Sequence, residues 1–226
     1  MSSNVGQGLR DMVNYTASIS LDGFTAGPDQ SPDNPLGVGG RQLHDWIQEL
    51  AVWREAHGMD GGIESPSTSV LEDAGANLGA YVMGRNMFGG GPGPWADEPW
   101  NGWWGENPPF HRPVFVVTHH ARPPLECDGG TTFTFVTDGV GAAMEQAREA
   151  AEGRDVTIAG GSTVARQCLA AGLVHELRLD LVPVLLGGGV RLFDEGDTSV
   201  DLEQLSVVEG RGVTHLAYRV TPGTSG

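Results

Sequence analysis

The chain has 226 residues, of which 39% are hydrophobic and 19% charged, enough to bury the core of a single domain over 1–226, with an ordered core expected over 12–220. A formal charge of −16 excludes nucleic acid and anionic membrane surfaces as partners, because both demand clustered positive charge to displace counterions. All 13 basic residues are arginine, which also excludes Schiff-base chemistry, a lysine general base and a lysine-bearing phosphate loop.

In chain order, residues 12–19 alternate as a strand and end at Asp22-Gly23, a turn signal. A Gly/Pro/Asp/Asn-rich loop fills 26–40. Leu43, Trp46, Ile47, Leu50 and Trp53 then have the spacing of one helical face over 41–57. After a loose stretch, 81–83 reads as a strand running into Gly84-Arg85-Asn86, and 89–113, nearly all Gly, Pro and Trp, as an irregular excursion. From 114 the pattern becomes regular: strands at 114–118, 133–136, 156–159 and 176–184, helices at 140–152 and 162–171, and closing strands at 205–209 and 213–220. Strands alternating with helices imply parallel pairing, and the closing hairpin adds antiparallel pairing, so the sheet is mixed.

The most informative stretch is 156–166, an apolar strand that runs through Gly160-Gly161 into Ser162-Thr163. Glycines allow close backbone approach to a ligand, and Ser162 or Thr163 can cap a helix whose first N–H groups and positive dipole end face an anion. An ordinary capped helix is the alternative. Arg85 and the run His119, His120 and Arg122 are basic groups in an otherwise acidic chain. Exposed arginines without a ligand are the alternative there.

Cys127 and Cys168 stand alone, with no Cys or His partner at metal-ligand spacing, so no metal, zinc site or disulfide framework is expected, and a reducing cytoplasm is the expected compartment. No apolar run approaches the roughly 20 residues of a membrane span, and the N-terminus carries no hydrophobic signal region.

Seven segments, in order, resemble the dihydrofolate reductase-like superfamily, in particular stand-alone proteins related to the C-terminal reductase domain of riboflavin biosynthesis. They are Ser20-Leu21-Asp22-Gly23-Phe24, Gly84-Arg85-Asn86-Met87-Phe88, Val117-Thr118-His119, Phe135-Val136-Thr137-Asp138-Gly139, Gly160-Gly161-Ser162-Thr163, Ala171-Gly172-Leu173-Val174 and Pro183-Val184-Leu185-Leu186-Gly187-Gly188. The resemblance implies an α/β three-layer fold with an eight-stranded, mostly parallel mixed sheet flanked by helices, and a homodimer.

It also implies an NADPH-dependent oxidoreductase that transfers hydride to a small planar heterocycle of pterin or pyrimidine type; in the riboflavin branch this is a 5-amino-6-(5-phosphoribosylamino)uracil reductase activity. Carried over by residue, Gly160, Gly161, Ser162, Thr163 and Val164 hold the cofactor diphosphate. Arg85 lies near the 2′-phosphate with Thr118 and His119 completing that pocket, Gly84, Asn86 and His120 are further cofactor-binding candidates, and Ala17 either lies against the nicotinamide carboxamide or simply fills the core. Asp22 is the candidate for proton delivery or a plain turn former. His44 and Trp46 are candidates at the substrate mouth, and Trp95, Trp100, Trp103 and Trp104 either wall a planar substrate or pack on the sheet.

Two positions depart from the riboflavin branch. Ala159 stands where that branch carries a glutamate before the Gly-Gly pair, and Val184 where it carries a lysine after the proline. A non-catalytic nucleotide- or flavin-binding protein that keeps the fold is therefore the competing expectation.

Overall fold

The computed structural model describes residues 11–31, 33–194 and 200–222. Its centre is built by strands β1 (Val13–Ser20), β3 (Leu78–Gly84), β4 (Pro113–Val117), β6 (Thr132–Val136), β7 (Asp155–Ala159) and β8 (Glu176–Val182). The short β2 (Phe24–Ala26) and β9 (Val190–Arg191) pair with each other, β5 (Leu125–Glu126) adds an edge beside β6, and β10 (Val200–Gly210) with β11 (Val213–Pro222) forms the closing hairpin. The main sheet has nine strands in the order β10-β11-β8-β1-β7-β3-β4-β6-β5. The count exceeds the expected eight, because the two-residue β5 is too short to leave a periodic pattern. From β8 to β6 every pair is parallel, and the outer pairs at both ends are antiparallel.

Helices α5 (Gly139–Ala151) and α6 (Ser162–Ala170) cover one face of the sheet. Ala143, Met144, Ala147 and Ala151 bury the stripe of α5, and a Cβ at Gly79 would lie 2.7 Å from the Ala151 side chain, so the helix sits directly on the β3 backbone.

The opposite face is covered in two patches. Over β8 and β11 lie a 3₁₀ turn (Gly40–His44), α1 (Asp45–Gln48), α2 (Ala51–Ala56) and α3 (Pro66–Gly75), enclosing Leu43, Trp46, Leu50, Val182 and Val213. The single helix expected over 41–57 is broken, since Leu50 adopts an extended conformation and bridges to Ile63. Residues 66–75, read as loose from sequence, form α3, started by a Ser65/Thr68 capping box with Pro66 in the first turn.

Over β3, β4 and β6 lie α4 (Arg85–Phe88) and the irregular segment 89–112. Trp104 stacks on Phe133, and Trp95 meets Phe88 and Phe135 edge-on, so these tryptophans pack on the sheet. Between the two patches β1 and β7 present Thr16, Ser18, Thr157 and Ala159 on this face, while their alternate residues Tyr15, Ala17, Ile19, Val156 and Ile158 join the core under α6. The sheet thus has a polar strip between two apolar covers.

Candidate cofactor-binding site

The carboxyl ends of β1, β7, β3 and β4 lie along one edge of the sheet. Because these strands are sheet neighbours, the turns that follow β7, β3 and β4 gather at one edge although 34 to 76 residues separate their sequences, counting from Gly84, Thr118 and Gly160. Gly160 and Gly161 are both left-handed, with φ of 54° and 61°. They need glycine for different reasons. A Cβ at Gly160 would press on Met87 Sδ at 2.7 Å, whereas one at Gly161 meets nothing nearer than the Gly84 nitrogen at 4.0 Å and would enter open space.

Gly161, not Ser162 or Thr163, is the N-cap of α6, and no side chain caps the helix. The first N–H groups of α6 have no acceptor within the helix. The Ser162 hydroxyl is 1% exposed and lies 2.6 Å from Thr25 Oγ1, fastening β2 to α6, so what Ser162 offers an anion is its backbone N–H. Val164 is buried, and a Cβ at Gly84 would sit 3.0 Å from it, which brings the β3 turn directly against α6.

Beyond Gly84, Arg85 donates from Nε to the Gly89 carbonyl (2.9 Å) and from Nη2 to that of Gly90 (3.2 Å), and its guanidinium carbon lies 3.2 Å over the Trp95 ring. Its Nη1 is buried with no partner. Arg122 lies 4.7 Å from both the Trp95 and Phe135 rings and donates to the Trp100 carbonyl. Among the described residues no carboxylate pairs with either guanidinium. Burial of charge lowers both arginine pKa values, that of Arg85 further through Arg122, so the pair favours an anion as a third member. Thr118 is buried and its Oγ1 accepts from the His120 N–H at 3.2 Å, the His120 carbonyl accepts from Trp95 Nε1 at 2.8 Å, and His119 and Asn86 are exposed beside them.

The orphaned Nη1, the open left-handed turn and the unpaired cations fit the phosphates of a dinucleotide, with Gly160, Gly161, Ser162 and Thr163 for the diphosphate and Arg85 with Thr118, His119 and His120 for the outer phosphate.

On the other side of the strip, the Ala17 side chain points into the α6-side core, so only its backbone could meet a ligand on the opposite face. The Asp22 carboxylate accepts from Ser20 Oγ (2.5 Å), the Leu186 N–H (3.1 Å) and the Gly187 N–H (2.7 Å), clamping the β1–β2 turn to the 185–189 loop. These bonds, the Ser20 hydroxyl foremost, hold its pKa down at about 2, so the group is a carboxylate at neutral pH and a brace for the loop. Because the folded-state pKa is depressed, its stabilisation is complete above the ordinary carboxyl value and is lost as pH falls towards about 2. Asp22→Asn should therefore flatten the acid limb of a stability-versus-pH curve; a limb identical to that of the parent chain would remove the clamp.

His44 ends the 3₁₀ turn and is half-buried, and Trp46 is buried, donating from Nε1 to the Leu43 carbonyl. Trp46 also lines a cavity of about 280 Å³ with Gln42, Asp45 and Glu49 on one wall and Val182, Pro183 and Val184 on the other. The structure thus gathers the phosphate-binding candidates on one edge, with Trp95 and Arg122 joining them, and sets His44 and Trp46 across the strip. Thr25 escaped sequence reasoning, since no local signal marks a residue that meets Ser162 at a separation of 137.

The model for the RibD C-terminal domain matches residues 11–216. A putative riboflavin biosynthesis protein from Shewanella sp. PV-4 superposes with a TM-score of 0.56 at 18% identity, covering 93% of this chain and 99% of its own. The deaminase/5-amino-6-(5-phosphoribosylamino)uracil reductase of Thermotoga maritima gives 0.54 at 13% identity over 94% of this chain and 57% of its own. Dihydrofolate reductase from Enterococcus faecalis, complexed with NADP(H) and RAB-propyl, gives 0.50 at 16% identity over 94% and 99%. No curated protein matches the chain. These likenesses establish a dihydrofolate reductase-like fold, and the family match, which spans the Gly84–Gly161 edge, the polar strip and both of its covers, makes this chain a member of the RibD C-terminal domain family.

Proposed function

We propose that the protein is an NADPH-dependent reductase that reduces a small planar heterocycle of pterin or pyrimidine type. The observation that carries this reading is the unpartnered, buried Nη1 of Arg85 on the same strand-end edge as the open Gly160-Gly161 turn. When bound, a reduced nicotinamide supplies the hydride and its electron pair. The chain's own residues bind and orient: the α6 N-terminus and Gly161 take the diphosphate, Arg85 with Thr118, His119 and His120 takes the 2′-phosphate, and the polar strip of Thr16, Ser18 and Thr157 floors the acceptor site. Family membership supports oxidoreductase chemistry. The test is titration with NADPH and NADH followed by loss of the nicotinamide absorbance band against a panel of pterins and pyrimidines, the phosphoribosylaminouracil included. Tight NADPH binding without turnover of any acceptor would favour a second reading, a non-catalytic nucleotide-binding protein, for which Ala159 (half-buried) and Val184 speak, placing apolar groups where the riboflavin branch has charges.

No helix among the described residues is long and apolar enough to cross a membrane, and a cytoplasmic setting is part of the proposal. So is a homodimer. On one face of the closing hairpin, Leu216, Tyr218 and Val220 stand opposite Val207, Gln204 and Leu202, and the β10 members Leu202 and Val207 are 45% and 51% exposed. A long edge strand with apolar side chains calls for a cover, and a second copy is the commonest one. Light scattering should return about twice 23.8 kDa at micromolar concentration, and a mass near 23.8 kDa would overturn the dimer.

A further inference from the structure

The turn assigned to the diphosphate has little of its own to hold it in place. Gly160 and Gly161, both left-handed, put the residue type with the most backbone freedom directly before α6, and no side chain caps the helix. The N–H groups of Val164 and Ala165 both donate to the Gly161 carbonyl, at 3.1 and 3.2 Å, so the open donors are those of Ser162 and Thr163 ahead of them. Helix ends fray, and the aim of these two N–H groups has to be fixed from outside the helix.

The anchor comes from β2. Thr25 Oγ1 donates its proton to the Val190 carbonyl at 3.3 Å, so in its shorter contact, 2.6 Å to Ser162 Oγ, the Ser162 hydroxyl is the donor. Ser162 is buried and its hydroxyl proton is committed to Thr25. One turn further along the same face of α6, Arg166 pairs with Asp194, three residues beyond β9. Because β2 and β9 are hydrogen-bonded to each other, one two-stranded ribbon is fastened to α6 at both points.

The ribbon is itself firmly held. The Leu192 N–H donates to the Gly23 carbonyl at 3.0 Å, and a Cβ at Gly189 would lie 2.1 Å from the Ala26 carbonyl oxygen, so the two strands are in close contact along their length. At the far end the Asp22 carboxylate clamps the turn before β2 to the loop before β9. Thr25 therefore presents its oxygen to Ser162 from a rigid support.

We propose that Thr25 is a positioning residue of the diphosphate site: through the Ser162 hydroxyl it fixes the first turn of α6, so that the N–H groups of Ser162 and Thr163 meet the diphosphate already ordered. Neither Thr25 nor the Ser162 side chain touches the ligand. The gain is one of preorganisation, since a turn that had to be ordered on binding would lose part of the interaction free energy. NADPH and NADH share the diphosphate and gain equally. In this Thr25 differs from Arg85, whose guanidinium separates the two cofactors by the 2′-phosphate. The inference rests on the dinucleotide reading of this edge.

Fluorescence titration of the full chain with NADPH and with NADH tests it without any acceptor. Thr25→Val keeps the branched shape and removes the hydroxyl; it should weaken both cofactors equally, by about 10-fold, and Thr25→Ser should restore most of that loss. Ser162→Ala removes the same bond from the other side and leaves the backbone N–H in place. It should match Thr25→Val, and the double variant should lose no more than either single one. Arg166→Ala cuts the tie farther from the turn and should lower the melting temperature with both affinities unchanged.

Unchanged affinity in folded Thr25→Val would overturn the proposal, as would an equal loss in Arg166→Ala, which would reduce Thr25 to general bracing. A Ser162→Ala loss that adds to that of Thr25→Val would also overturn it, by putting the Ser162 hydroxyl on the phosphate itself. Where Thr25→Val does not fold, Ser162→Ala carries the test, and unchanged affinity there would sink the idea. A parent chain that binds neither NADPH nor NADH would instead overturn the dinucleotide reading, and the role of Thr25 with it.

Discussion

Gly161→Val is expected to abolish NADPH binding while the chain still folds. Gly161 has φ of 61°, a conformation that β-branched residues adopt only under strain of about 1–3 kcal/mol. That strain is tolerable, because the added Cβ finds no protein atom nearer than 4.0 Å. The same emptiness makes the substitution severe for a ligand, since the branched side chain would occupy the space in front of the α6 N-terminus through which a diphosphate approaches the backbone N–H groups. Gly160→Val is the contrasting control: there the Cβ meets Met87 Sδ at 2.7 Å, and the expected loss is in folding. Circular dichroism with a fluorescence titration separates the two outcomes, and a folded Gly161→Val that keeps NADPH affinity would sink the diphosphate assignment.

Arg85→Ala should weaken NADPH by about 1.5–3 kcal/mol, the range for hydrogen bonds to a charged group, or roughly 10- to 100-fold, with NADH nearly unaffected. The guanidinium is held by two carbonyls and the Trp95 face, so it is pre-positioned, and its buried Nη1 is the donor left without a protein partner. Those contacts brace the start of the 89–112 segment as well, and some loss of thermal stability is expected alongside. Affinities measured well below the unfolding transition isolate the binding effect. An equal loss for NADPH and NADH would assign Arg85 to bracing alone.

Much of this was legible in the sequence because local physics carries it. The strands from 113 onwards and helices α5 and α6 follow from hydrophobic period, and the Gly160-Gly161 turn announced itself by residue type. Arg85 and the run His119–Arg122 were visible as basic residues in an acidic chain, but 34 residues separate them, and the pairing of β3 with β4 is what sets them side by side. Other features failed locally. The helix over 41–57 has an unbroken apolar period, yet Leu50 turns extended to bridge Ile63, a tertiary demand that overrides propensity. The segment at 66–75 lacks a strong apolar stripe, and its capping box was the signal that could have found it.

By itself, then, the sequence determined that this is an α/β chain with a mixed sheet and a double-glycine turn after the strand at 156–159, because each rests on neighbours within a dozen residues. Only the tertiary structure decided that Ser162 fastens to Thr25, that Asp22 clamps the 185–189 loop, that Trp95 lies beneath Arg85, and that Ser67, His215 and Asp180 form one row. Those side chains lie 137, 164, 10, 148 and 35 residues apart, and all but the Arg85–Trp95 contact span separate elements of the fold. Even that contact depends on an irregular loop folding back on the sheet. Strand order, which no local pattern encodes, brings such partners within hydrogen-bonding distance.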